Sequence, residues 1–291
     1  MPRNIRPRRS MLYMPGSNAR ALEKARDLPA DAVIFDLEDA VAPEAKRDAR
    51  KLVVEAIRQG GYGRREIIVR VNPLSSPWGF QDVLAVSGSG AQGMLLPKVE
   101  GPGVVRQVSS MLDVHDAPAD LSIWCMVETP LGVLHAERIA SGGPRLAGMV
   151  MGTSDLSKDL HASHTLDRVP MLTSLSICLL AARAFGVAIV DGVHLDLKDT
   201  GGFARACRQG AELGFDGKTL IHPSQIEPAN AAFAPSGHAV EAARRVIDAH
   251  NAACAAGQGV VVVDGRLVEN LHVEQARRTI ALAEAIEALG A

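Results

Sequence analysis

Two acidic residues stand where apolar runs of this sequence end, and their placement suits a divalent cation. Glu128 follows the run 121–127, and Asp155 follows the run 146–151. Carboxylate oxygens, completed by water and substrate oxygens, are the ligands that Mg²⁺ prefers, and no histidine or cysteine set has the spacing of a zinc site. The pattern predicts a Mg²⁺ site on Glu128 and Asp155, with Mn²⁺ as the alternative ion.

Each of the two carboxylates also has a purely structural interpretation. Glu128 would face solvent beyond its strand or pair with an arginine, and Asp155 would cap the helix that follows. The dipeptide Thr129-Pro130 starts a helix at once, which pins Glu128 at the strand end and favours the metal interpretation. Gly152 and Thr153 lie in the turn before Asp155, where free backbone N–H groups would suit a substrate carboxylate.

Arg70 is the third residue whose position suggests chemistry. It ends the stretch Ile67-Ile68-Val69-Arg70, where an unpaired charge among β-branched side chains is expensive. One interpretation is an ion pair with Asp36 or Glu38. The other is a permanently charged donor directed at a substrate carbonyl or at a developing enolate oxygen.

These residues need a scaffold that gathers strand ends, and the rest of the chain supplies one. Apolar runs alternate with amphipathic helical segments, as in parallel α/β folds. The predicted strands are 10–14, 32–37, 66–71, 93–97, 121–127, 146–151, 187–190 and 217–221, and the predicted helices are 17–28, 43–59, 78–87, 102–112, 131–140, 170–186, 200–213 and 224–233. Eight such units predict a TIM (β/α)₈ barrel over residues 1–233. An open doubly wound sheet is the alternative, but no GxGxxG follows the first strand.

Polar residues collect at the carboxyl ends of the predicted strands, which form one mouth in a barrel and carry its catalytic groups. They are Asp36, Glu38, Asp39, Arg70, Asn72, Lys98, Glu100, Glu128, Asp155, Asp191 and His222. His222 precedes Pro223 and is better interpreted as fixing that turn. The others predict an active-site mouth.

The pattern changes after residue 233. Residues 234–291 predict a C-terminal helix–hairpin–helix extension, with the hairpin turn at Asp264-Gly265. The extension is not a ninth barrel unit. We expect it to form a lid over the mouth of its own barrel or of a neighbouring subunit.

The composition narrows the class of partner. The chain has 291 residues, 47% of them hydrophobic, and a net charge of −2, which gives no electrostatic case for nucleic acid or a membrane surface. No apolar run reaches the length of a membrane span, and no signal-peptide pattern is present. The four cysteines form no CxxC pair, which predicts buried, reduced thiols and a cytoplasmic location.

Motifs along nearly the whole chain are similar to those of one family. They include Phe35-Asp36-Leu37-Glu38-Asp39, Arg70-Val71-Asn72, Leu96-Pro97-Lys98-Val99-Glu100, Val127-Glu128-Thr129-Pro130, Gly152-Thr153-Ser154-Asp155-Leu156 and Ile221-His222-Pro223-Ser224-Gln225-Ile226. The sequence resembles the HpcH/HpaI aldolase/citrate lyase family, within it the citrate lyase β-subunit and malyl-CoA lyase group. The resemblance implies a Mg²⁺-dependent carbon–carbon lyase. Its substrate would be a malyl-, citramalyl- or citryl-CoA type thioester, cleaved to acetyl-CoA and a keto acid.

The resemblance also implies roles at the mouth. Glu128 and Asp155 would bind the metal, and Glu38 and Asp39 would hold its water ligands. Arg70 would contact the substrate carbonyl and hold the enolate formed when the carbon–carbon bond breaks.

Further roles implied by the resemblance lie outside the mouth. Tyr13, Arg20 and Lys24 would lie near the CoA. Glu269 stands where the family commonly has an aspartate of the tail, often supplied by a neighbouring subunit, which acts as acid or base on the acetyl-CoA enolate. The family usually assembles as trimers or multiples of trimers, so a homo-oligomer is expected.

Other functions share these features. A malyl-CoA-type thioesterase would bind the same substrate but hydrolyse it. A class II hydroxy-acid aldolase would use a histidine near the first strands, and the first histidine here is His115, in a predicted surface segment. A β-subunit working on a carrier-bound substrate, or a non-catalytic CoA-binding subunit, completes the alternatives. The complete set of charged residues argues against the non-catalytic one.

Overall fold

Eight parallel β-strands close into a barrel in the computed structural model, which describes residues 5–290. The strands are β1 (Ser10–Pro15), β2 (Ala32–Asp36), β3 (Glu66–Arg70), β4 (Gly93–Leu96), β5 (Ser122–Val127), β6 (Leu146–Met151), β7 (Ala188–Asp191) and β8 (Gly217–Leu220). Each strand pairs with the next, and β8 pairs with β1, opposite Ser10 to Leu12, so the ring closes. The predicted TIM barrel is confirmed.

Helices connect the strands on the outside of the barrel. They are α1 (Ala19–Lys24), α2 (Lys46–Gln59), α3 (Gly79–Ser87), α4 (Pro102–Val114), α5 (Pro130–Leu134), α6 (Ala136–Ala140), α7 (Thr153–Asp159), α8 (Val169–Phe185), α9 (Thr200–Leu213) and α10 (Ile226–Phe233). Two features differ from the prediction. The helix expected over 131–140 is divided at His135, and α7 is too short to show a hydrophobic period in the sequence.

Alternation along the strands separates an inner core from an outer one. The inner core consists of Met11, Ala32, Ile34, Ile68, Leu95, Trp124, Met126, Val150 and Val190. The intervening strand residues pack outward against the helices. The fully buried Trp124 requires Gly148 on β6, because a Cβ at that position would lie 2.3 Å from the indole Cζ3. The barrel interior is therefore filled, and in barrels of this kind ligands bind at the mouth.

Residues 234–290 form a second compact unit, to which residues 5–7 also belong. It contains α11 (Gly237–Ala255), β9 (Val261–Val263), β10 (Arg266–Val268) and α12 (Asn270–Gly290). Asp264 and Gly265 have φ angles of 48° and 76°, which is typical of the two-residue type I′ turn of a hairpin. The predicted helix–hairpin–helix is present, and its role as a lid stays a prediction.

Three of the four cysteines lie in the core as free thiols, whereas Cys254 on α11 is exposed. Burial raises the pKa of the Cys207 thiol to about 11. The prediction that all four are buried is wrong for Cys254, because its alanine-rich surroundings reflect helix propensity and not burial. Among residues 5–290, no helix has the length and apolar character needed to cross a membrane.

Candidate active site

The carboxyl ends of β2 to β6 bring charged side chains together at the mouth of the barrel. Five are carboxylates and two are cations, and they are Asp36, Glu38, Asp39, Glu128, Asp155, Arg70 and Lys98. The excess of negative charge is one that a bound divalent cation would offset. The described residues contain no group of three or more histidines, cysteines and acids placed to hold a metal by themselves. A metal here would therefore need water or substrate oxygens as well.

Glu128 lies directly after β5 and is almost fully buried, with 1% of its surface exposed. Its Oε1 accepts the backbone N–H of Lys98 at 2.7 Å, but its Oε2 is buried without any hydrogen-bond partner. Burial raises the pKa of Glu128 to about 8; the N–H and ammonium of Lys98 oppose this, and the charges of Glu38 and Asp155 add to it. A buried carboxylate oxygen without a partner is costly. This orphaned oxygen fits a hard cation, and it is not explained by solvent exposure or by an arginine pair.

Gly152, between β6 and α7, gives Glu128 its room. A Cβ at position 152 would lie 2.2 Å from Cβ of Glu128 and 2.7 Å from its Oε2. The φ angle of Gly152 is −92°, which any residue can adopt, so this position requires glycine for space alone. Gly152 thus acts on the orientation of Glu128, in addition to the substrate contact predicted from the sequence.

Replacing Gly152 with alanine is expected to weaken the binding of a divalent cation by about 10- to 100-fold, the usual effect of disturbing a residue that orients a ligand. The reason is the forced displacement of the Glu128 carboxylate. Isothermal titration with Mg²⁺ measures the effect. The matched control is Gly103→Ala on α4, where a Cβ meets nothing within 4 Å. Equal affinities of the two variants would rule out the steric argument.

Asp155 lies in the first turn of α7 and is partly exposed. It does not cap this helix, because the N-cap is Gly152 and no side chain makes a capping hydrogen bond there. The structural interpretation of Asp155 is thereby removed. Its charge adds to the raised pKa of Glu128, and its predicted role as the second metal ligand stays a prediction.

Arg70 is the centre of an ion cluster at the end of β3. Its Nε and Nη2 donate to the two carboxylate oxygens of Asp36 at 2.7 and 2.6 Å, and its Nη1 lies 3.0 Å from Glu38 and 3.4 Å from Asp39. Burial would lower the pKa of Arg70, but these carboxylates outweigh it and raise the pKa, so the guanidinium stays charged. The ion pair considered from the sequence is therefore present. Asp36 thus binds two of the three guanidinium nitrogens, and the third, Nη1, faces Glu38 and Asp39.

Glu38 and Asp39 differ in their surroundings although they are adjacent. Glu38 is buried, and its Oε1 also accepts the ammonium of Lys98 at 3.1 Å. Burial raises the pKa of Glu38, Arg70 opposes this, and the charge of Asp39 adds to it. Asp39 is mostly exposed, with 59% of its side-chain surface accessible. The predicted role of both in holding metal-bound water stays a prediction.

The three residues predicted to lie near the CoA are in two places. Tyr13 on β1 packs against the inner core, with its ring 4.9 Å from the guanidinium carbon of Arg70. Arg20 and Lys24 are exposed on α1, four residues apart and hence on one face of the helix. Tyr13 thus supports Arg70, whereas the two cations present an accessible basic surface.

Asp191 does not belong to the mouth, contrary to the prediction for the end of its strand. It is fully buried, and its Oδ2 lies on the outer side of the barrel, beside Gly210 of α9. The Lys218 ammonium donates to it at 2.8 Å, and Nη1 of Arg168 donates to both carboxylate oxygens at 2.9 and 2.7 Å. Side chains alternate between the two faces of a strand, and Val190 points into the barrel. The next residue, Asp191, therefore points outward, toward the helices. This cluster ties β7 and β8 to the loop before α8.

His222 is likewise structural, as its interpretation from the sequence states. Its Nδ1 lies 3.2 Å from the backbone nitrogen of Ser224, whose N–H it accepts, and Gln225 completes a capping box around Pro223. Thr153, which was predicted to bind substrate, lines a cavity of about 360 Å³ together with Ser154, His194 and Lys218. This cavity borders the Asp191 cluster through Arg168 and Lys218, and neither Glu128 nor Asp155 lines it, so the predicted substrate contact of Thr153 stays a prediction.

Glu269 belongs to the tail unit, directly after β10. It is exposed, and its backbone N–H donates to Nδ1 of His272 at 3.1 Å. Its side chain is available to a ligand, and its predicted acid–base role stays a prediction.

The sequence predicts Lys98 as part of the mouth but indicates no role of its own, although it contacts both Glu38 and Glu128. The sequence did contain a signal for this contact. Consecutive strands are neighbours in the barrel, so Lys98 after β4 and Glu128 after β5 lie at adjacent strand ends. The left-handed backbone of Lys98, with φ of 50°, could not be read from the sequence. The backbone N–H of the same residue donates to Oε1 of Glu128.

Sequence comparison agrees with this arrangement. The profile of the HpcH/HpaI aldolase/citrate lyase family matches residues 9–223. The chain belongs to this family. The matched region runs from β1 to just beyond β8 and so contains all eight barrel strands. The resemblance read from the motifs is confirmed, and so is the expectation that the chain is an enzyme.

Individual relatives extend the match to the tail. A Cereibacter sphaeroides protein named (3S)-malyl-CoA thioesterase is 51% identical over 291 residues, the whole of both chains. The citrate lyase subunit beta of Escherichia coli is 37% identical over 287 residues, covering 97% of this chain and 95% of that one. A crystal structure of CitE from Mycobacterium tuberculosis in complex with magnesium, acetoacetate and coenzyme A has a TM-score of 0.76 at 30% identity, covering 96% of this chain and 98% of that one.

Proposed function

We propose that this protein is a Mg²⁺-dependent thioesterase that hydrolyses a malyl-CoA-type thioester to the free hydroxy acid and CoA. The orphaned Oε2 of Glu128 supports the metal, and it is the observation that carries the proposal. The 51% identity over full length to a malyl-CoA thioesterase, against 37% to a citrate lyase β-subunit, favours hydrolysis over carbon–carbon cleavage.

Glu128 and Asp155 would hold the Mg²⁺, with Glu38 and Asp39 acting through water. The donor set consists of hard carboxylate oxygens in a mouth with excess negative charge, which suits Mg²⁺ or Mn²⁺. When bound, the ion supplies charge neutralisation and polarises the oxygens of the hydroxy-acid half of the substrate. A CitE structure that contains magnesium and coenzyme A supports both ligands here.

The chain's own groups divide the remaining work. Nη1 of Arg70 would donate to the thioester carbonyl oxygen, where negative charge develops as water attacks the carbon. The backbone at Gly152 and Thr153 would orient the substrate carboxylate. Arg20 and Lys24 would face the phosphates of CoA, since they form the basic face of α1.

Glu269 would act as the acid–base group. In hydrolysis it takes a proton from the attacking water, the carbon–sulfur bond breaks, and the proton is returned to the CoA sulfur. The predicted trimer would allow this residue to come from a neighbouring copy, and sedimentation velocity tests that assembly.

A second candidate is the carbon–carbon lyase expected from the motifs. It is favoured by the presence of Arg70, Glu128 and Asp155 together with an acid at position 269. In that reaction the 3-hydroxyl group loses its proton to water, the bond between C2 and C3 breaks so that C3 becomes the carbonyl carbon of the keto acid, and Glu269 protonates the enolate carbon of acetyl-CoA. The same residues thus serve either reaction, and the products distinguish them.

The decisive assay uses purified protein with Mg²⁺ and (3S)-malyl-CoA, and it measures free CoA and acetyl-CoA separately by chromatography. Hydrolysis gives free CoA and malate, while acetyl-CoA and glyoxylate would identify the lyase. Parallel assays with citramalyl- and citryl-CoA define the acyl group, and a carrier-bound substrate tests the remaining alternative. If the protein turned over none of these substrates in the presence of Mg²⁺, that result would contradict the proposal.

Glu269→Gln is expected to lower kcat by about 100- to 10,000-fold, the usual contribution of a general acid or base, with KM nearly unchanged. Steady-state kinetics with (3S)-malyl-CoA measures both constants. Glu274→Gln, on the same tail unit in α12, is the matched control and should keep the wild-type kcat. A Glu269→Gln variant with wild-type kcat would remove this residue from the mechanism.

A further inference from the structure

Lys98 has an unusual backbone at the mouth of the barrel. It lies two residues beyond the end of β4, and its φ angle of 50° places it in the left-handed region. Few residues other than glycine adopt this conformation, and when others do they cluster at functional sites. In this conformation the backbone N–H of Lys98 donates a hydrogen bond to Oε1 of Glu128 at 2.7 Å.

The neighbouring backbone fixes Lys98 from both sides. Pro97 before it has a restricted φ and no N–H, and the N–H of Val99 after it donates to the carbonyl oxygen of Met126 on β5 at 3.1 Å. The turn is therefore attached to the strand that carries Glu128. Both of these bonds, from Lys98 to Glu128 and from Val99 to Met126, are donated by backbone N–H groups and not by the lysine side chain.

The Lys98 ammonium makes a separate contact. Its Nζ lies 3.1 Å from Oε1 of Glu38, and 44% of the side-chain surface is exposed. This pair joins a partly exposed ammonium to the buried carboxylate of Glu38, so its hydrogen bond is to Glu38 and not to Glu128. The hydrogen bond from the backbone N–H to Glu128 has a buried, charged acceptor, and hydrogen bonds to charged groups are the stronger ones. It is therefore the stronger constraint on the position of the Glu128 carboxylate.

We propose that Lys98 is a positioning residue for Glu128, acting through its left-handed backbone and not through its ammonium. The N–H holds one carboxylate oxygen, the absent side chain of Gly152 leaves room for the other, and Oε2 is thereby kept free for the cation. The inference deepens the proposed function and rests on it for the identity of the ion.

Three substitutions separate the backbone from the side chain. Lys98→Gly keeps the N–H and adopts the left-handed region without strain, while Lys98→Met keeps a long side chain without the charge. Lys98→Val is β-branched and strongly disfavours the conformation. We expect Mg²⁺ affinity within about threefold of wild type for the glycine and methionine variants, and at least tenfold weaker binding for the valine variant.

Isothermal titration with Mg²⁺ in the absence of substrate is the measurement, with far-ultraviolet circular dichroism to verify folding. A valine variant that binds as tightly as wild type overturns the inference, and so does a methionine or glycine variant as weak as the valine one. If the valine variant does not fold, wild-type affinity of the other two supports the backbone role, and loss in either contradicts it. A wild-type protein that binds no Mg²⁺ overturns the proposed function itself and this inference with it.

Discussion

Glu128→Gln is expected to abolish Mg²⁺-dependent turnover, with kcat lowered by at least about a thousandfold. An amide keeps the hydrogen bond to the N–H of Lys98 but removes the anionic oxygen, and metal polarisation is worth several kcal/mol of transition-state stabilisation. Kinetics with (3S)-malyl-CoA and titration with Mg²⁺ measure the two losses. Thermal unfolding adds a third readout, because a ligand that binds only the folded state raises Tm.

The substitution should not lower Tm in the presence of a chelator. A buried carboxylate with an unpartnered oxygen costs more than a neutral amide of the same shape. Glu100→Gln is the control at the same end of the barrel, where the side chain is exposed. It should keep turnover and the Mg²⁺-induced rise in Tm. A Glu128→Gln variant that retains either property would contradict the metal assignment.

Asp191→Asn is expected to lower the free energy of unfolding by about 3–5 kcal/mol. The Lys218 side chain, 1% exposed, and the guanidinium of Arg168 would face a neutral amide, leaving buried positive charge without compensation. Urea-induced unfolding, followed by circular dichroism near neutral pH, measures the change. Asp48→Asn is the control, because Asp48 and its partner Lys51 are both largely exposed, and it should change stability by less than about 1 kcal/mol.

The same cluster predicts an acid dependence. Burial alone would raise the pKa of Asp191, but Lys218 and Arg168 outweigh it and hold the pKa below its ordinary value of 3.8. A lowered folded pKa gives stability that is present above the unfolded pKa and is lost as the pH falls toward the folded one. The difference between wild type and Asp191→Asn should therefore shrink from about pH 6 to about pH 3. A difference that grows with acidity would contradict this assignment.

The sequence was sufficient for the barrel because its information is periodic. Buried parallel strands give near-continuous apolar runs, and the amphipathic helices between them give a second period. The helix predictions fail where a segment is too short to show a hydrophobic period or where a helix is interrupted. Helix α7 occupies only Thr153–Asp159, and the break at His135 interrupts an otherwise plausible ten-residue helix. Boundaries at strand ends depend on pairing with neighbours, which the local sequence does not encode.

For the candidate site, the positions of the acids were predictable and their surroundings were not. Glu128 and Asp155 stand at strand ends, and that follows from the order of residues alone. Asp191 stands at such an end too, yet strand parity turns it toward α9. Whether a residue faces the mouth or the helices depends on which neighbour is inward, and a one-residue shift reverses it.

The hydrogen bonds of the two sheets differ in one respect that concerns association. Among the described residues, every barrel strand is paired on both sides, whereas β9 and β10 pair only with each other. Open strand edges are templates for pairing with another chain. Val262 and Leu267 are directly opposite each other in this hairpin, and they are 65% and 52% exposed. Sheet extension between molecules is therefore open to the hairpin and closed to the barrel, so self-association of the barrel would proceed through the helices and loops on its surface.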